Sequence, residues 1–276
     1  MDISVIIPTY KPKDYLWKCL DSLYSQTLDK LRFEIVIVLN GCNEPYREQI
    51  ESYIKKHTSE KGLAVTLIQT DAPGVSNARN LALDVCKGNY VCFIDDDDWV
   101  SDNYLENLLR ESRGNDAIVV ANELHYHEDN NTYTDCNLGR NYKKLSASGK
   151  KITLVGARPY MSTACLKIIP KAMIGDTRFD LHLKLGEDAL FMATVSRYIH
   201  EIRLASADTL YYRRLRKDSA TTRQHHLIPL IENTFYQYYK YTTTYFSAPL
   251  QYDFSLFFNR ILAVTKRFFL LLIGKP

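Results

Sequence analysis

The sequence predicts an α/β fold with a mainly parallel sheet and a helical C-terminal tail. Short apolar runs alternate with segments of helical spacing through the first half of the chain, and several of these runs end in polar loops. From His225 onward, aromatic residues crowd the chain. Alternation of strands and helices is typical of a parallel sheet with helices on both faces.

The individual elements follow from the spacing of the apolar residues. Continuous apolar runs predict strands at residues 3–8, 33–39, 63–68, 91–94 and 117–121. Helical spacing predicts helices at residues 16–23, 45–57 and 75–86, near residue 102 and after residue 186. The polar segment 125–141 is interpreted as a hairpin or loop, and residues 143–151 as a flexible connection. Because parallel strands place their polar carboxyl ends at one edge, this half is expected to hold a nucleotide.

Composition narrows the class of protein. The 276 residues are 46% hydrophobic and 24% charged, which is ordinary for a globular protein with a substantial core. A net charge of +3 does not indicate nucleic acid, and no nucleic-acid partner is expected. The six cysteines lack metal-ligand spacing and fit small core residues in a reducing compartment. Without a signal peptide or a run of about 20 apolar residues, the protein is expected to be cytoplasmic.

Four consecutive acids, Asp95 to Asp98, follow the apolar run at residues 91–94. Near a protein surface, two like charges about 4 Å apart repel by roughly 4 kcal/mol, and a divalent cation would relieve that repulsion. Carboxylate oxygens are the ligands that Mg²⁺ and Mn²⁺ prefer. The alternative is a solvated acidic turn that caps the helix near Asp102.

A second acidic pair, Glu187 and Asp188, follows Gly186 and opens an apolar helix. Acids in a first helical turn interact favourably with the helix dipole, so simple capping is one interpretation of this pair. Residues 211–219 form a basic segment at a strand end, suited either to diphosphate oxygens or to a solvated edge strand.

The tail contains an amphipathic helical pattern. Arg260, Lys266 and Arg267 are expected on one face. The other face carries Phe254, Phe257, Phe258, Ile261, Leu262, Thr265, Phe268, Phe269 and Leu272. Such a helix either packs on the main domain or lies in a membrane interface, and the pattern leaves both alternatives open.

Five motifs occur in order in the first 220 residues: SVIIPTY at 4–10, PGVSNARN at 73–80, GNYVCFIDDDDW at 88–99, GEDALF at 186–191 and YYRRLR at 211–216 with Ser219. Together they resemble those of the inverting family 2 glycosyltransferases with the GT-A fold, of the bacterial surface-polysaccharide type. The resemblance implies a GT-A domain at residues 1–220, with a nucleotide-sugar-binding half at 1–120 and an acceptor and catalytic half at 121–220. Residues 221–276 would form the aromatic, basic tail.

The resemblance also implies roles for individual residues. Asp97, assisted by Asp95 or Asp96, would hold Mn²⁺ or Mg²⁺ as a Lewis acid for the nucleoside diphosphate leaving group. Asp188 would be the base that deprotonates the acceptor hydroxyl, with Glu187 as the reserve candidate. The implied phosphate contacts are Arg213 and Arg216. The implied nucleotide contacts are Pro8, Thr9, Tyr10, Asn40, Arg79, Asp95 and Asp96.

Asn40 departs from the family pattern, which usually has an acid at this position to accept from uracil. The Asn40 amide carbonyl can still accept that hydrogen bond, so UDP stays the expected nucleotide. The implied acceptor is a hydroxyl of a glycan or of a lipid-linked glycan, and the tail would place the protein at the inner face of the cell membrane, against anionic lipid. Two other functions compete: a non-catalytic nucleotide-sugar-binding relative, and an aspartyl-phosphate phosphatase, whose motif the acids fit poorly.

Overall fold

The computed structural model describes residues 1–58, 62–113, 117–215 and 227–272. Within these residues a seven-stranded sheet has the order β10-β6-β9-β4-β1-β2-β3. Its strands are β1 (Ile3–Thr9), β2 (Phe33–Asn40), β3 (Ala64–Thr70), β4 (Tyr90–Phe93), β6 (Ala117–Val120), β9 (Lys167–Pro170) and β10 (Glu201–Leu204). β9 runs antiparallel to both β4 and β6, while the other neighbours pair in parallel. The predicted mainly parallel sheet is confirmed.

A smaller sheet adjoins it, with the order β5-β11-β7-β8. These strands are β5 (Trp99–Val100), β7 (Asn122–His127), β8 (Thr132–Asp135) and β11 (Leu210–Leu215). β7 and β8 form an antiparallel hairpin that begins at Asn122, just before the segment 125–141 interpreted as a hairpin or loop. β11 pairs with β5, which directly follows the four acids, so this sheet brings the basic segment beside the acidic one.

Every residue of β1 and β2 is buried, and since successive side chains point to opposite faces, both faces of the sheet are covered at its centre. The helices are α1 (Tyr15–Tyr24), α2 (Tyr46–Thr58), α3 (Val75–Val85), α4 (Tyr104–Ser112), α5 (Asn137–Ser148), α6 (Lys171–Ile174), α7 (Glu187–Val195), α8 (Leu227–Ser247) and α9 (Phe254–Leu272). The prediction of a loop and a flexible connection across residues 137–148 is wrong, because this stretch is α5. The Tyr142 ring of α5 is buried and its hydroxyl donates to the Ala205 carbonyl, so tertiary contacts order a polar sequence.

The tail forms two helices, α8 and α9, that pack on α7. Phe257 and Val264 of α9 and Tyr241 of α8 form one apolar cluster with Leu190 and Ala193 of α7. The tail therefore packs on the main domain, as one of the two alternatives predicted. No helix among the described residues is long and apolar enough to span a bilayer.

The predicted basic face of α9 is wrong at one position. Arg260 is buried, and its guanidinium donates to the Ser162 hydroxyl at 2.8 Å and to the Arg158 carbonyl at 3.0 Å. Helical spacing alone could not reveal these partners, which lie about a hundred residues earlier in the chain.

Candidate active site

The candidate site lies at the carboxyl ends of the central strands. Thr9 ends β1, Asn40 ends β2, and the run of four acids begins two residues after the end of β4. The start of α7 supplies the second acidic pair. Hydrogen bonds link these elements into one site. Its outermost members in the sequence, Thr9 and Asp188, are 179 positions apart.

The four acids divide into two kinds. Asp98 is buried, accepts hydrogen bonds from the Tyr211 hydroxyl at 2.7 Å and the Arg214 backbone N–H at 2.8 Å, and so belongs to the scaffold. Burial, reinforced by the charges of Asp97 and Asp95, raises the pKa of Asp98 well above its usual value. Asp95, Asp96 and Asp97 are partly exposed. Their partial exposure means that a cation from solvent could reach them.

Thr9 and Asn40 fix the geometry of the predicted nucleotide loop. The Thr9 hydroxyl donates to the Asp96 carboxylate. The buried Asn40 amide donates to the Thr9 carbonyl at 2.7 Å and accepts from the Gly74 N–H at 2.9 Å. A carboxylate at position 40 could not donate to the Thr9 carbonyl, which gives a physical reason for asparagine here. Contact of Asn40 with a nucleobase stays a prediction.

Of the other loop residues, Pro8 is buried within β1 and Tyr10 is half exposed beyond its end. Tyr10 also lies within 3.3 Å of where a side chain at Gly41 would stand, so its ring borders the ends of both β1 and β2. A half-exposed ring in this position can stack on a planar ligand group.

Arg79 connects the two acidic groups. One terminal nitrogen lies 2.6 Å from the Asp188 carboxylate and the other lies 3.0 Å from Asp95, while Glu187 is 3.9 Å away. The guanidinium is buried over the Phe179 ring. Burial by itself lowers the pKa of Arg79, but the charges of Asp188 and Asp95 outweigh it, and the pKa is raised above its usual value. Its predicted contact with phosphate stays a prediction.

Asp188 is held from two sides. Arg79 binds one carboxylate oxygen, and the Ala164 N–H donates to the other at 3.0 Å, with the Thr163 hydroxyl at 3.5 Å. Burial and the neighbouring Asp188 charge raise the pKa of Glu187 to about 7, against the opposing effect of Arg79. The segment that binds Asp188 is itself anchored, since the buried Lys167 ammonium donates to the Thr163 and Cys165 carbonyls.

One of the two predicted phosphate ligands, Arg213, is paired with a carboxylate of the protein. Arg213 is one-third exposed and lies 2.6 Å from the buried Glu123 carboxylate. Arg216 lies outside the described residues. Within the described part of the chain, one group of three metal-type ligands converges: Glu123, His125 and Cys136. The Arg213 cation already neutralises Glu123 there, so this group fits an added cation poorly.

Several residues of the site were missed by the sequence reasoning. Tyr211 and Arg214 hold the acidic loop, with the Arg214 side chain also donating to the Asp97 carbonyl at 3.1 Å. Alternation along the basic strand at residues 211–215 puts the Tyr211 and Arg214 side chains on opposite faces, so a strand pattern alone could not identify both of them. Nothing local marks Thr163 or Ala164, whose contact with Asp188 depends on tertiary packing.

A family model described as glycosyl transferase family 2 matches residues 4–164, more than half of the chain. The chain belongs to glycosyl transferase family 2. This confirms the expected family and removes the phosphatase alternative. The match ends before Gly186, so it includes the four acids and Arg79 but not Glu187 and Asp188.

Two relatives illustrate the similarity. Glycosyltransferase GlyA of Streptococcus pneumoniae is 32% identical over 224 residues, which cover 79% of this chain and 31% of the relative. The poly(ribitol-phosphate) beta-N-acetylglucosaminyltransferase TarS of Staphylococcus aureus is 29% identical over 217 residues, which cover 77% and 35%. The chain thus spans about a third of the length of these relatives.

Solved structures agree with the fold. The crystal structure of S. aureus TarS 1–349 in complex with UDP-GlcNAc gives a TM-score of 0.66 at 20% identity, covering 98% of this chain and 81% of that chain. The same TarS fragment in complex with UDP gives 0.62 at 24% identity, covering 79% and 61%. At these identities the likeness concerns the fold, and the expected GT-A fold is confirmed.

Proposed function

We propose that this protein is an inverting glycosyltransferase that moves a sugar from a nucleoside diphosphate to an acceptor hydroxyl. One observation carries the proposal: Arg79 bridges Asp95, in the partly exposed acidic loop, and Asp188, at the start of α7. The crevice thus has an acidic group suited to a cation near the leaving diphosphate and a separate carboxylate suited to a proton. Both assist direct displacement at an anomeric carbon, since one neutralises the leaving group and the other takes the proton of the acceptor.

Asp97, assisted by Asp95 or Asp96, would hold Mn²⁺ or Mg²⁺. The donor set fits, because these three acids are partly exposed and supply the oxygen ligands that hard divalent cations prefer. When bound, the cation supplies the Lewis acid that neutralises charge developing on the diphosphate. The protein adds cationic groups of its own, since the charges of Asp98 and Asp95 act on Arg213 and Arg79 lies 3.0 Å from Asp95.

Asp188 is the proposed base, and it takes the proton of the acceptor hydroxyl as that oxygen attacks. Its two oxygens are held by donors on different elements, α3 and the segment before β9, so its orientation is fixed before a substrate binds. A preset orientation lowers the cost of reaching a reactive geometry. Attack on the face opposite the leaving group gives inversion at the anomeric carbon.

A uridine diphosphate sugar is the proposed donor. Two TarS crystal structures contain UDP and UDP-GlcNAc, and the fold of this chain is similar to theirs. The names of relatives, which include the poly(ribitol-phosphate) beta-N-acetylglucosaminyltransferase TarS and the minor teichoic acid biosynthesis protein GgaB of Bacillus subtilis, support an acceptor in a surface glycan. A lipid-linked glycan is the alternative acceptor.

The test is metal-dependent release of UDP. We expect the protein to release UDP from a panel of UDP-sugars with Mn²⁺ or Mg²⁺, and to lose that activity in excess EDTA. Asp97→Asn should lower turnover by at least about a hundredfold with little change in melting temperature, since Asp97 is partly exposed. Full activity in EDTA would refute the metal role, and UDP binding without any turnover would favour the non-catalytic relative.

We also propose that the tail lies at the inner face of the cell membrane. α8 and α9 leave a row of large side chains uncovered, here named the outer apolar face: Ile228, Phe235, Tyr239, Phe246, Phe254, Phe258, Leu262, Phe269 and Leu272. A hydrogen bond between Tyr238 and Thr265 and a ring contact between Tyr245 and Phe254 join the two helices. α9 contains no acid and exposes Lys266, a composition suited to an anionic lipid surface.

A further inference from the structure

We propose that the two C-terminal helices hold Asp188 in its working position, and that Asn233 and Arg260 are the positioning residues through which they do so. The inference rests on the proposed role of Asp188 as the base. It assigns to the tail a part in the reaction that is separate from any contact with membrane.

Asn233 of α8 fixes the turn immediately before α7. Its amide oxygen accepts from the backbone N–H of Lys184 at 3.1 Å and of Leu185 at 3.4 Å. Its amide nitrogen donates to the Leu185 carbonyl at 3.2 Å. One side chain thus satisfies three backbone groups in the residues that lead into Asp188. A turn held in this way cannot shift along the helix axis without losing all three hydrogen bonds.

Gly186 shows how closely α8 approaches this turn. Its φ of +86° lies in the left-handed region that favours glycine. A Cβ added at this position would stand 2.6 Å from the Gln237 side-chain oxygen, closer than any normal contact. α8 therefore lies directly against the residue that precedes Glu187 and Asp188.

Arg260 of α9 supports the opposite side of Asp188. It binds the Ser162 hydroxyl and the Arg158 carbonyl, and Ser162 directly precedes Thr163 and Ala164, which contact the second Asp188 oxygen. Burial lowers the pKa of Arg260, and the partners named here are neutral oxygens. Burying a cation against neutral oxygens is costly, and an apolar side chain would pack at lower cost. Orientation of the 162–164 segment gives a reason to keep arginine.

A further ion pair joins α8 to the chain before the turn. Lys240 lies 2.9 Å from Asp180, and the Tyr236 hydroxyl donates to the same carboxylate at 3.1 Å. Burial by itself raises the pKa of Asp180, but the hydrogen bond from Lys240 and the other donors outweigh it, and the pKa is lowered below its usual value. Taken with Asn233, α8 contacts both ends of residues 180–185.

Catalysis should be sensitive to this support. A general base must lie within hydrogen-bonding reach of the proton it takes, and a displacement of about 1 Å can cost about a hundredfold in rate. Donor binding depends on the acidic loop and the ends of β1 and β2, which the tail residues named here do not contact. The inference therefore predicts a loss of kcat without a matching loss of donor affinity.

The experiment compares Asn233→Ala with a matched control, Asn259→Ala. Asn259 is also in the tail, but its amide donates to the Ser255 carbonyl of its own helix. We expect Asn233→Ala to lower kcat by about tenfold to a hundredfold, with the donor KM and UDP–Mn²⁺ affinity within about twofold of wild type. Asn233→Asp keeps the two acceptor contacts but not the donor, so it should recover part of kcat. Asn259→Ala should match wild type.

Arg260→Lys provides an independent variant if Asn233→Ala does not fold. Lysine keeps the charge but not the fork that reaches two partners, so we expect the same selective loss of kcat. Wild-type kcat in a folded Asn233→Ala, or in Arg260→Lys where Asn233→Ala does not fold, would overturn the inference, as would equal losses of kcat, donor affinity and melting temperature. If Asp188→Asn keeps full transfer, the proposed function fails instead. If Asp188→Asn is inactive while the tail variants are normal, only the positioning role fails.

Discussion

Replacing Asp188 by asparagine separates the proposed base from every other function of the site. In the native protein, one Asp188 oxygen accepts from Arg79 at 2.6 Å and the other from the Ala164 N–H at 3.0 Å. An asparagine side chain has one acceptor and one donor group, so in either orientation its NH₂ faces another N–H. One of these two donors is then left without its partner, and the shape of the site is otherwise kept.

The expected magnitudes follow from these contacts. An unsatisfied buried donor costs about 1–3 kcal/mol in the free energy of unfolding. Breaking a buried ion pair can cost about 3–5 kcal/mol, but Asp95 at 3.0 Å and Glu187 at 3.9 Å still neutralise Arg79, so the smaller figure applies. Loss of the proton acceptor should lower kcat by about a hundredfold to ten-thousandfold. The effect on turnover is thus larger than the effect on stability.

The assay measures three quantities on Asp188→Asn and Glu187→Gln. They are transfer or UDP release at saturating donor, UDP–Mn²⁺ affinity by titration calorimetry, and denaturant unfolding. We expect Asp188→Asn to be nearly inactive with affinity within a few-fold of wild type, and Glu187→Gln to keep more activity. An active Asp188→Asn beside an inactive Glu187→Gln would refute the reasoning and move the base to Glu187.

Two predictions remain. Burial and Asp188 raise the pKa of Glu187 from 4.5 to about 7 in the folded protein. The protonated side chain therefore makes its full contribution to stability at a pH below the pKa of the unfolded chain. That contribution is lost as the pH rises through the pKa of the folded protein. Without metal, Glu187→Gln should therefore reduce the fall in unfolding free energy between those pH values by about 3 kcal/mol, and equal slopes would contradict the assigned pKa. For the membrane, the triple variant Phe258→Ser, Leu262→Ser, Phe269→Ser should no longer bind vesicles of phosphatidylglycerol and phosphatidylcholine, while its melting temperature changes little, because all three side chains are exposed. Salt should weaken wild-type binding only in part, because the charge of Lys266 contributes about 1 kcal/mol while the outer apolar face contributes independently of charge. A wild-type protein that never binds vesicles would refute the location.

Much of the fold was predictable because its signals are local. β1, β2 and β4 are fully buried and therefore read as continuous apolar runs. The antiparallel insertion of β9 between β4 and β6 has no such signal, because a four-residue strand looks the same in either direction. α5 was missed because its sequence is polar and its order comes from tertiary contacts.

The site was predictable where a motif holds several residues together, and less so elsewhere. The acidic loop and the Glu187–Asp188 pair could be found from the sequence, but the division of labour among the four acids could not. Asp98 differs from its neighbours only through Tyr211 and Arg214, which approach from β11. Likewise, helical periodicity places Arg260 on the basic face of α9 with Lys266 and Arg267, because periodicity records polarity and not the position of a distant carbonyl.

The contacts of α8 and α9 also limit how this protein could be recombined with its relatives. A chimaera that joins one member's first 215 residues to another member's tail would place foreign side chains against Leu185, Gly186 and Ser162. Exchange at that junction requires compatible side chains at positions 233, 237 and 260, even where the sheets of the two members are closely similar. Over evolutionary time the tail and the α7 turn should therefore be inherited together, as one unit that crosses the apparent domain boundary.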